Sequence, residues 1–235
     1  MNFFSILIPA HNEEKYIAET LVSMGALNYS KDFFEVLVIE NGSTDRTLEV
    51  AKKFESGNIR VMISEKGASK AKNFGLKNMS AKSDWAVFLD ADTLLKPEFL
   101  ADLNAYITAR ADKNLTIGTT TVLPQGRKRL KADAWFAFYN IGHALTHTSF
   151  AIQIMKAALR SKIRFDEVRK FAEDLKLIED LRREGKFFYF RTKTVWTSTR
   201  RFDEVGWFRL FIKWNWQALV LAKTQKKDDE YDVIR

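Results

Sequence analysis

Asp90 and Asp92 stand two positions apart at the end of an apolar run, Val87-Phe88-Leu89-Asp90-Ala91-Asp92-Thr93. Asp is a poor strand former, so the pair does nothing for the strand that leads into it. If that strand continues through them, both carboxylates point to one face and can address one ligand. Two carboxylates held close together repel, and burial without a cation would raise the pKa of one of them. A hard divalent cation such as Mg or Mn resolves the conflict, because such ions are commonly held by one or two carboxylates with substrate phosphates completing the shell. The plainer reading of the same residues is a solvated turn or helix cap, since Thr93-Leu94-Leu95-Lys96-Pro97-Glu98 reads as a loop before a helix.

Other residues of chemical interest also follow apolar runs. Glu40 and Asn41 end FEVLVIEN (34–41). Behind them Gly42 suits a turn, Ser43 an N-cap and Arg46 the first helical turn. Loop and cap account for Ser43 and Asp45, whereas Glu40 and Asn41 need another reason. The spacing of His11, His143 and His147 forms no metal motif, which makes them structural or peripheral. With no cysteine in the chain, disulfides, thiolate metal sites and Cys nucleophiles are excluded. Neither GxGxxG nor a Walker A pattern occurs.

The elements that must position these residues alternate in the first half. Strand-like runs at 3–10, 34–41, 58–64 and 84–91 are separated by EEKYIAETLVSM, DRTLEVAKKF and SKAKNFGLKNM, which carry apolar residues at helical spacing. Such alternation predicts βαβ units and a mostly parallel sheet. Each run ends in a polar cluster, HNEE, ENGSTD, EKGASK and DADT, and in an open α/β sheet ligands sit just outside the carboxyl ends of the strands. The four clusters are therefore expected to meet in space.

The second half is less regular. A helix is predicted over 98–110, a Thr-rich strand over 115–124, a basic loop over 125–131, an aromatic-rich helix over 132–148 and a strand over 149–156. An amphipathic helix follows over 168–185, with Phe171, Leu175, Ile178 and Leu181 or Arg182 at the helical step and Gly185 ending it. KFFYFRT (186–192) returns as a strand.

At 235 residues and 46% hydrophobic content the chain supports one α/β domain with a sizeable core. The opening MNFFSILIPAHNEE reads as a first strand, with neither the basic start nor the cleavage site of a signal peptide. No apolar run approaches the ~20 residues that span a bilayer. The net charge of +8 belongs to the second half: residues 111–235 hold 25 Lys/Arg against 15 Asp/Glu, and residues 1–110 hold 13 against 15. Such a surface suits a nucleic acid, an anionic membrane or a phosphorylated substrate, and charge alone does not choose among them.

Taken together, ILIPAHNEEKYIAETLVSM, FEVLVIENGSTDRTLEVAKKF, KGASKAKNFGLKNMSAKSDWAVFLDADT and RFDEVRKFAEDLKLIEDLRREGKFFYF resemble, in order, four segments of the family 2 inverting nucleotide-sugar glycosyltransferases. The resemblance runs over about 190 residues. It implies a GT-A fold: a Rossmann-like, mostly parallel central sheet flanked by helices, in a single domain with a helical, aromatic-rich C-terminal extension. The expected divisions are a transferase domain over 1–205, with a nucleotide-binding half (1–110) and an acceptor-binding half (111–205), and an amphipathic helix and tail over 206–235.

The resemblance also implies roles. Pro9, Ala10, Glu13, Glu40 and Ala91 would line the nucleotide pocket, Lys72 would lie near the diphosphate, Asp90 would contact ribose or metal-bound water, and Asp92 would ligate a Mn or Mg ion. Asp174 would be the general base that takes the acceptor's proton on the far face of the sugar. The chain departs from the family at Glu40 and Asn41, where two Asp usually stand, and in VWTSTRRF (195–202), where many relatives carry a metal-binding His. Arg200 and Arg201 stand there instead, and their guanidinium groups are shaped to clamp a diphosphate.

The expected activity is transfer of a sugar from a nucleotide-diphosphate sugar to a hydroxyl or phosphate of a lipid-linked or phosphorylated acceptor. WFRLFIKWNWQALVLAK (207–223) combines Trp, Phe and flanking basic residues, which suits either packing on the sheet or contact with the cytoplasmic face of a membrane. A sugar-phosphate nucleotidyltransferase would carry a Gly-rich basic loop where HNEE stands. A nucleic-acid-binding protein is favoured only by charge and aromatics and has no motif here.

Overall fold

The computed structural model of the chain describes residues 1–126, 130–167 and 173–209, with the backbone alone for 173 and 174. β1 (Phe4–Ala10), β2 (Phe34–Glu40), β3 (Ile59–Ile63) and β4 (Trp85–Leu89) occur where the apolar runs predict them. They alternate with α1 (Ile17–Gly25), α2 (Thr47–Lys52) and α3 (Ala68–Asn78). All four strands are parallel, with β2 and β4 flanking β1 and β3 outside β2. The chain thus builds outward from β1 to β3 and then crosses back to the other side of β1. In open α/β sheets ligands are taken outside the carboxyl ends of the strands where the strand order reverses, which here is beside β1.

Central strands of a sheet covered on both faces read as continuous apolar runs. In β1, Phe4, Ile6 and Ile8 face a core shared with Ile17 and Leu21 of α1 and with Phe99 and Leu103 of α4 (Phe99–Thr108). Leu7 faces the opposite core with Leu37, Ile39 and Ala71 of α3. A Cβ on Gly75 would lie 3.1 Å from Ile39 Cδ1 and 3.3 Å from Leu7 Cδ1, so glycine at this helical position lets α3 sit close against the sheet.

Beyond β4 come β5 (Thr93–Leu95), β6 (Leu115–Thr120), β7 (Leu123–Pro124), α5 (Leu130–Thr146), β8 (Ile152–Lys156), α6 (Glu173–Glu184), β9 (Lys186–Phe190), β10 (Val195–Thr197) and α7 (Arg200–Val205). The main sheet has the order β3-β2-β1-β4-β8-β6-β9, and β8 is antiparallel to both of its neighbours. A small second sheet, β5-β10-β7, joins the residues after the Asp pair to the approach to α7.

Several expectations need correction. Asp90 and Asp92 do not extend a strand: β4 stops at Leu89, and the amide of Thr93 closes a turn on the carbonyl of Asp90 at 3.1 Å. The same-face argument from strand pleating therefore does not apply to them, and the plainer reading as a turn is the observed one. The Thr-rich segment is two strands, split at Thr121 and Val122. In α6 the buried positions are Leu177, Ile178 and Leu181, while Leu175 is exposed; Phe171 lies outside the described residues. Ser43 caps no helix; the amide of Thr47 donates to Asp45 Oδ1 at 2.9 Å instead. Of the basic loop, residues 127–129 lie outside the described residues, as does most of the C-terminal extension.

Candidate functional site

The first two polar clusters interlock at the C-terminal edge of the sheet. Asn12 adopts a left-handed φ of 56°, which Asn tolerates better than most residues. Its amide donates to Ser43 Oγ at 3.0 Å, and its Oδ1 accepts from the Thr44 amide at 2.8 Å. The Glu13 amide donates to Thr47 Oγ1 at 2.7 Å, and the Glu14 amide to Asp45 Oδ2 at 3.2 Å. Ser43 and Asp45, which the sequence reads as loop and cap, thus hold the two loops together with Thr44.

Asn41 shows why an amide stands there. Its Nδ2 donates to the carbonyl of Ala10 at 2.9 Å, which an ionised Asp cannot do, and its own carbonyl lies 3.0 Å from His11 Nδ1. Glu40 is buried, and its Oε1 accepts from the Ser43 amide at 2.5 Å. Pro9 and Ala10 end β1 beside them. Lys72, on the buried side of α3, places its ammonium 5.1 Å from the ring centroid of Phe165.

The Asp turn is fixed from three sides. The Asp90 amide donates to the carbonyl of Ala151 at 3.0 Å, Thr20 Oγ1 to that of Ala91 at 2.7 Å, and the Ser198 amide to that of Asp92 at 3.2 Å. Asp90 is exposed, Ala91 is buried, and the Asp92 side chain is only 13% exposed. Thr93 and Thr197 share a 2.8 Å hydroxyl contact across the small sheet, which brings α7 to the turn.

Arg200, the first residue of α7, closes the site. Its Nη2 lies 2.5 Å from Glu13 Oε1, its Nε 3.1 Å from Asp92 Oδ2, and its guanidinium 4.2 Å from the ring centroid of Tyr16. All three ionic side chains are nearly buried. Burial raises the pKa of Glu13 against the lowering effect of Arg200. For Arg200, burial opposes the charge, but the hydrogen bond with Glu13 and the charge of Asp92 outweigh it and hold the guanidinium above its ordinary pKa. Glu13 Oε2 is buried and has no hydrogen-bond partner among the described residues, a buried acceptor turned to this cluster.

Among the described residues no group of three His, Cys, Asp or Glu side chains forms a closed metal cage. The donor set is instead two carboxylates on one tight turn, which fits a hard dication whose remaining positions go to phosphate oxygens and water. The structure thus joins Glu13, Asp92 and Arg200, sets Asp90 on the same turn and keeps Pro9, Ala10, Glu40 and Ala91 at neighbouring strand ends. Arg201 is partly exposed beside Arg200. Asp174 is the second residue of α6, and its side chain lies outside the described residues. His143 and His147 pack on Phe150 and Phe187 respectively. Sequence reasoning linked Arg200 to phosphate and Glu13 to the nucleotide but missed their mutual contact and the part played by Tyr16, since 187 positions separate the ionic partners.

A parallel sheet reversing at β1, with an acidic turn after the fourth strand, defines a GT-A type of nucleotide-binding fold. The comparisons agree: the family model "Glycosyl transferase family 2" matches residues 5–164, and the chain belongs to that family. The poly(ribitol-phosphate) beta-N-acetylglucosaminyltransferase TarS of Staphylococcus aureus is 36% identical over 108 residues, 44% of this chain and 18% of TarS. The crystal structure of TarS residues 1–349 with UDP-GlcNAc superposes with a TM-score of 0.67 at 24% identity, over 83% of this chain and 58% of that one. Glucosyl-3-phosphoglycerate synthase of Mycobacterium tuberculosis, solved with Mn2+, UDP-glucose and phosphoglyceric acid, gives a TM-score of 0.62 at 19% identity, over 99% of this chain and 83% of that one. At these identities the two solved structures establish a shared fold. The chain spans less than two-thirds of the length of the curated relatives it matches, from 18% of TarS to 62% of a streptococcal glycosyltransferase.

Proposed function

We propose that this chain transfers a hexose-type sugar from a nucleotide-diphosphate sugar to a hydroxyl or phosphate of a phosphorylated or lipid-linked acceptor, with inversion. The carrying observation is the convergence of the HNEE, ENGS and DADT loops on one crevice of a family 2 fold. In this reading Pro9, Ala10, Glu13, Glu40 and Ala91 line the nucleotide pocket, and Lys72 and Arg201 add positive charge near the diphosphate. Asp92, with Asp90, would hold Mn or Mg, which supplies charge neutralisation for the departing diphosphate. Asp174 accepts the acceptor's proton as the acceptor oxygen bonds to the anomeric carbon. The bond from that carbon to the diphosphate breaks on the opposite face, and the electron pair leaves with the nucleoside diphosphate. A phosphorylated acceptor is supported by the basic second half and by the names of two relatives, one acting on poly(ribitol-phosphate) and one solved with phosphoglyceric acid.

Thermal unfolding with a nucleoside diphosphate plus Mn2+ tests the reading. A rise in Tm that Asp92→Ala loses is the expected result, and equal stabilisation of the variant would count against the metal site.

Contact with an anionic membrane surface is supported by α5. Leu130, Phe138, Ile141 and Leu145 are exposed along one side of this helix, next to the basic sequence Arg127-Lys128-Arg129 and to Lys131. Among the described residues no helix is long and apolar enough to cross a membrane. Co-sedimentation with anionic vesicles that persists in Phe138→Glu/Ile141→Glu would remove α5 from the interface.

A further inference from the structure

Arg200 does more than lie near a diphosphate site. Its guanidinium is fixed by three partners from two parts of the chain: Glu13 and Tyr16 in the loop between β1 and α1, and Asp92 on the turn after β4. The cluster holds one positive and two negative side chains, all nearly buried, so each charge depends on the others in a medium that screens poorly. Asp92 Oδ2 is thus paired with a fixed guanidinium that it shares with Glu13. A dication approaching Asp92 alone meets that positive charge beside the carboxylate it needs. A diphosphate changes the balance, because its oxygens offer the planar guanidinium a second, bidentate partner while adding ligands for the cation.

We propose that Arg200 is a positioning residue that couples cation binding to donor binding, holding Asp92 until a diphosphate arrives to share the guanidinium. The cation and the nucleoside diphosphate then enter the site together, and the protein without a donor holds the cation poorly. The proposal rests on the reading above, that the site takes a nucleoside diphosphate with a divalent cation.

The test is calorimetric titration of the full chain with Mn2+ alone, and with UDP in saturating Mn2+, for the wild type, Arg200→Gln and Arg200→Lys. Removing the charge is expected to tighten Mn2+ binding without nucleotide by about tenfold, a usual size for coupling between sites, and to weaken UDP binding by a similar factor. Opposite signs on two ligands are not what a merely structural role gives, since a loosened site would weaken both. Arg200→Lys keeps the charge and loses the planar fork, so its Mn2+ affinity stays at the wild-type level while its UDP affinity falls. If Arg200→Gln has no cooperative thermal transition, Arg200→Met, which keeps the apolar stem, takes its place. A charge-free variant that binds Mn2+ alone no better than the wild type, while the wild type binds UDP with Mn2+, overturns the coupling and leaves the functional reading intact. A wild type that binds none of UDP, GDP, CDP, ADP and dTDP in Mn2+ overturns both.

Discussion

The two ends of the sheet's working edge are built by different physics. Around Ala10, Glu40 and Asp92, loops are held by directional bonds: side chains take up backbone amides and carbonyls, and a buried ion cluster ties three distant segments together. Around α5 the ordering is aromatic. Phe136 contacts Phe150, Phe202 and Trp207, Tyr139 lies against His143 and Phe150, and the outer face of the helix stays apolar and exposed. Directional bonds fix atoms to fractions of an ångström, as a diphosphate and its cation require. Aromatic packing holds an element in place while leaving the side chains on its surface free to vary, which suits the half that must meet a particular acceptor.

Four substitutions or conditions sharpen that contrast, in descending size of effect. Asp174→Asn is expected to reduce kcat about a thousandfold, within the usual range for a lost general base, with donor affinity nearly unchanged; initial rates over a range of donor concentrations check it. Asn41→Ala removes a buried amide that serves the carbonyl of Ala10, and should destabilise the fold by about 2 kcal/mol in denaturant titration.

The aromatic end should respond to acid. Burial pushes His143 down to about 4 from 6.5, and among the described residues it faces Tyr139 and Phe150, with Thr148 Oγ1 at 2.6 Å from Nδ1. As pH falls below about 6.5 the unfolded chain gains a proton that the folded chain refuses until about 4, so stability is lost across that window. The loss should be on the order of 2 kcal/mol and absent in His143→Phe, which thermal unfolding at pH 7 and pH 4.5 would reveal. Smallest of all, Leu145→Lys on the exposed face of α5 should shift stability by no more than about 0.5 kcal/mol, because most of the Leu145 side chain is already in water. A larger loss would mean that this face is covered in the folded protein.

Legibility in the sequence followed the length and regularity of the signal. β1, β2 and β4 are plain because strands buried on both faces give unbroken apolar runs, whereas the half-exposed edge strand β3 is legible from its β-branched residues. β5 was read as loop, since three residues carry no period, yet it and β10 connect the acidic turn to Arg200. The apolar positions of α6 hold at Ile178 and Leu181 and fail near its start: Leu175 fits the helical step from Phe171 but faces solvent, and Leu177 is buried. The D-x-D spacing was visible, but its geometry was not, because a strand and a tight turn can be written with the same seven residues. Asn41 looked like a departure from a pair of acids until its donor bond to Ala10 showed the work of the amide.

The sequence by itself determined the alternation of strand and helix, the polar clusters after each strand, the absence of thiol chemistry and the family resemblance, because each of these is local or ordered along the chain. Only the tertiary structure decided which side chains meet. That Glu13 and Asp92 share the guanidinium of Arg200 depends on β1 and β4 being neighbours and on the small sheet carrying α7 to the acidic turn. Charge pairing across 187 positions leaves no periodic trace in a sequence, since its energy depends on distance in space and on burial, and both are fixed only when the sheet closes.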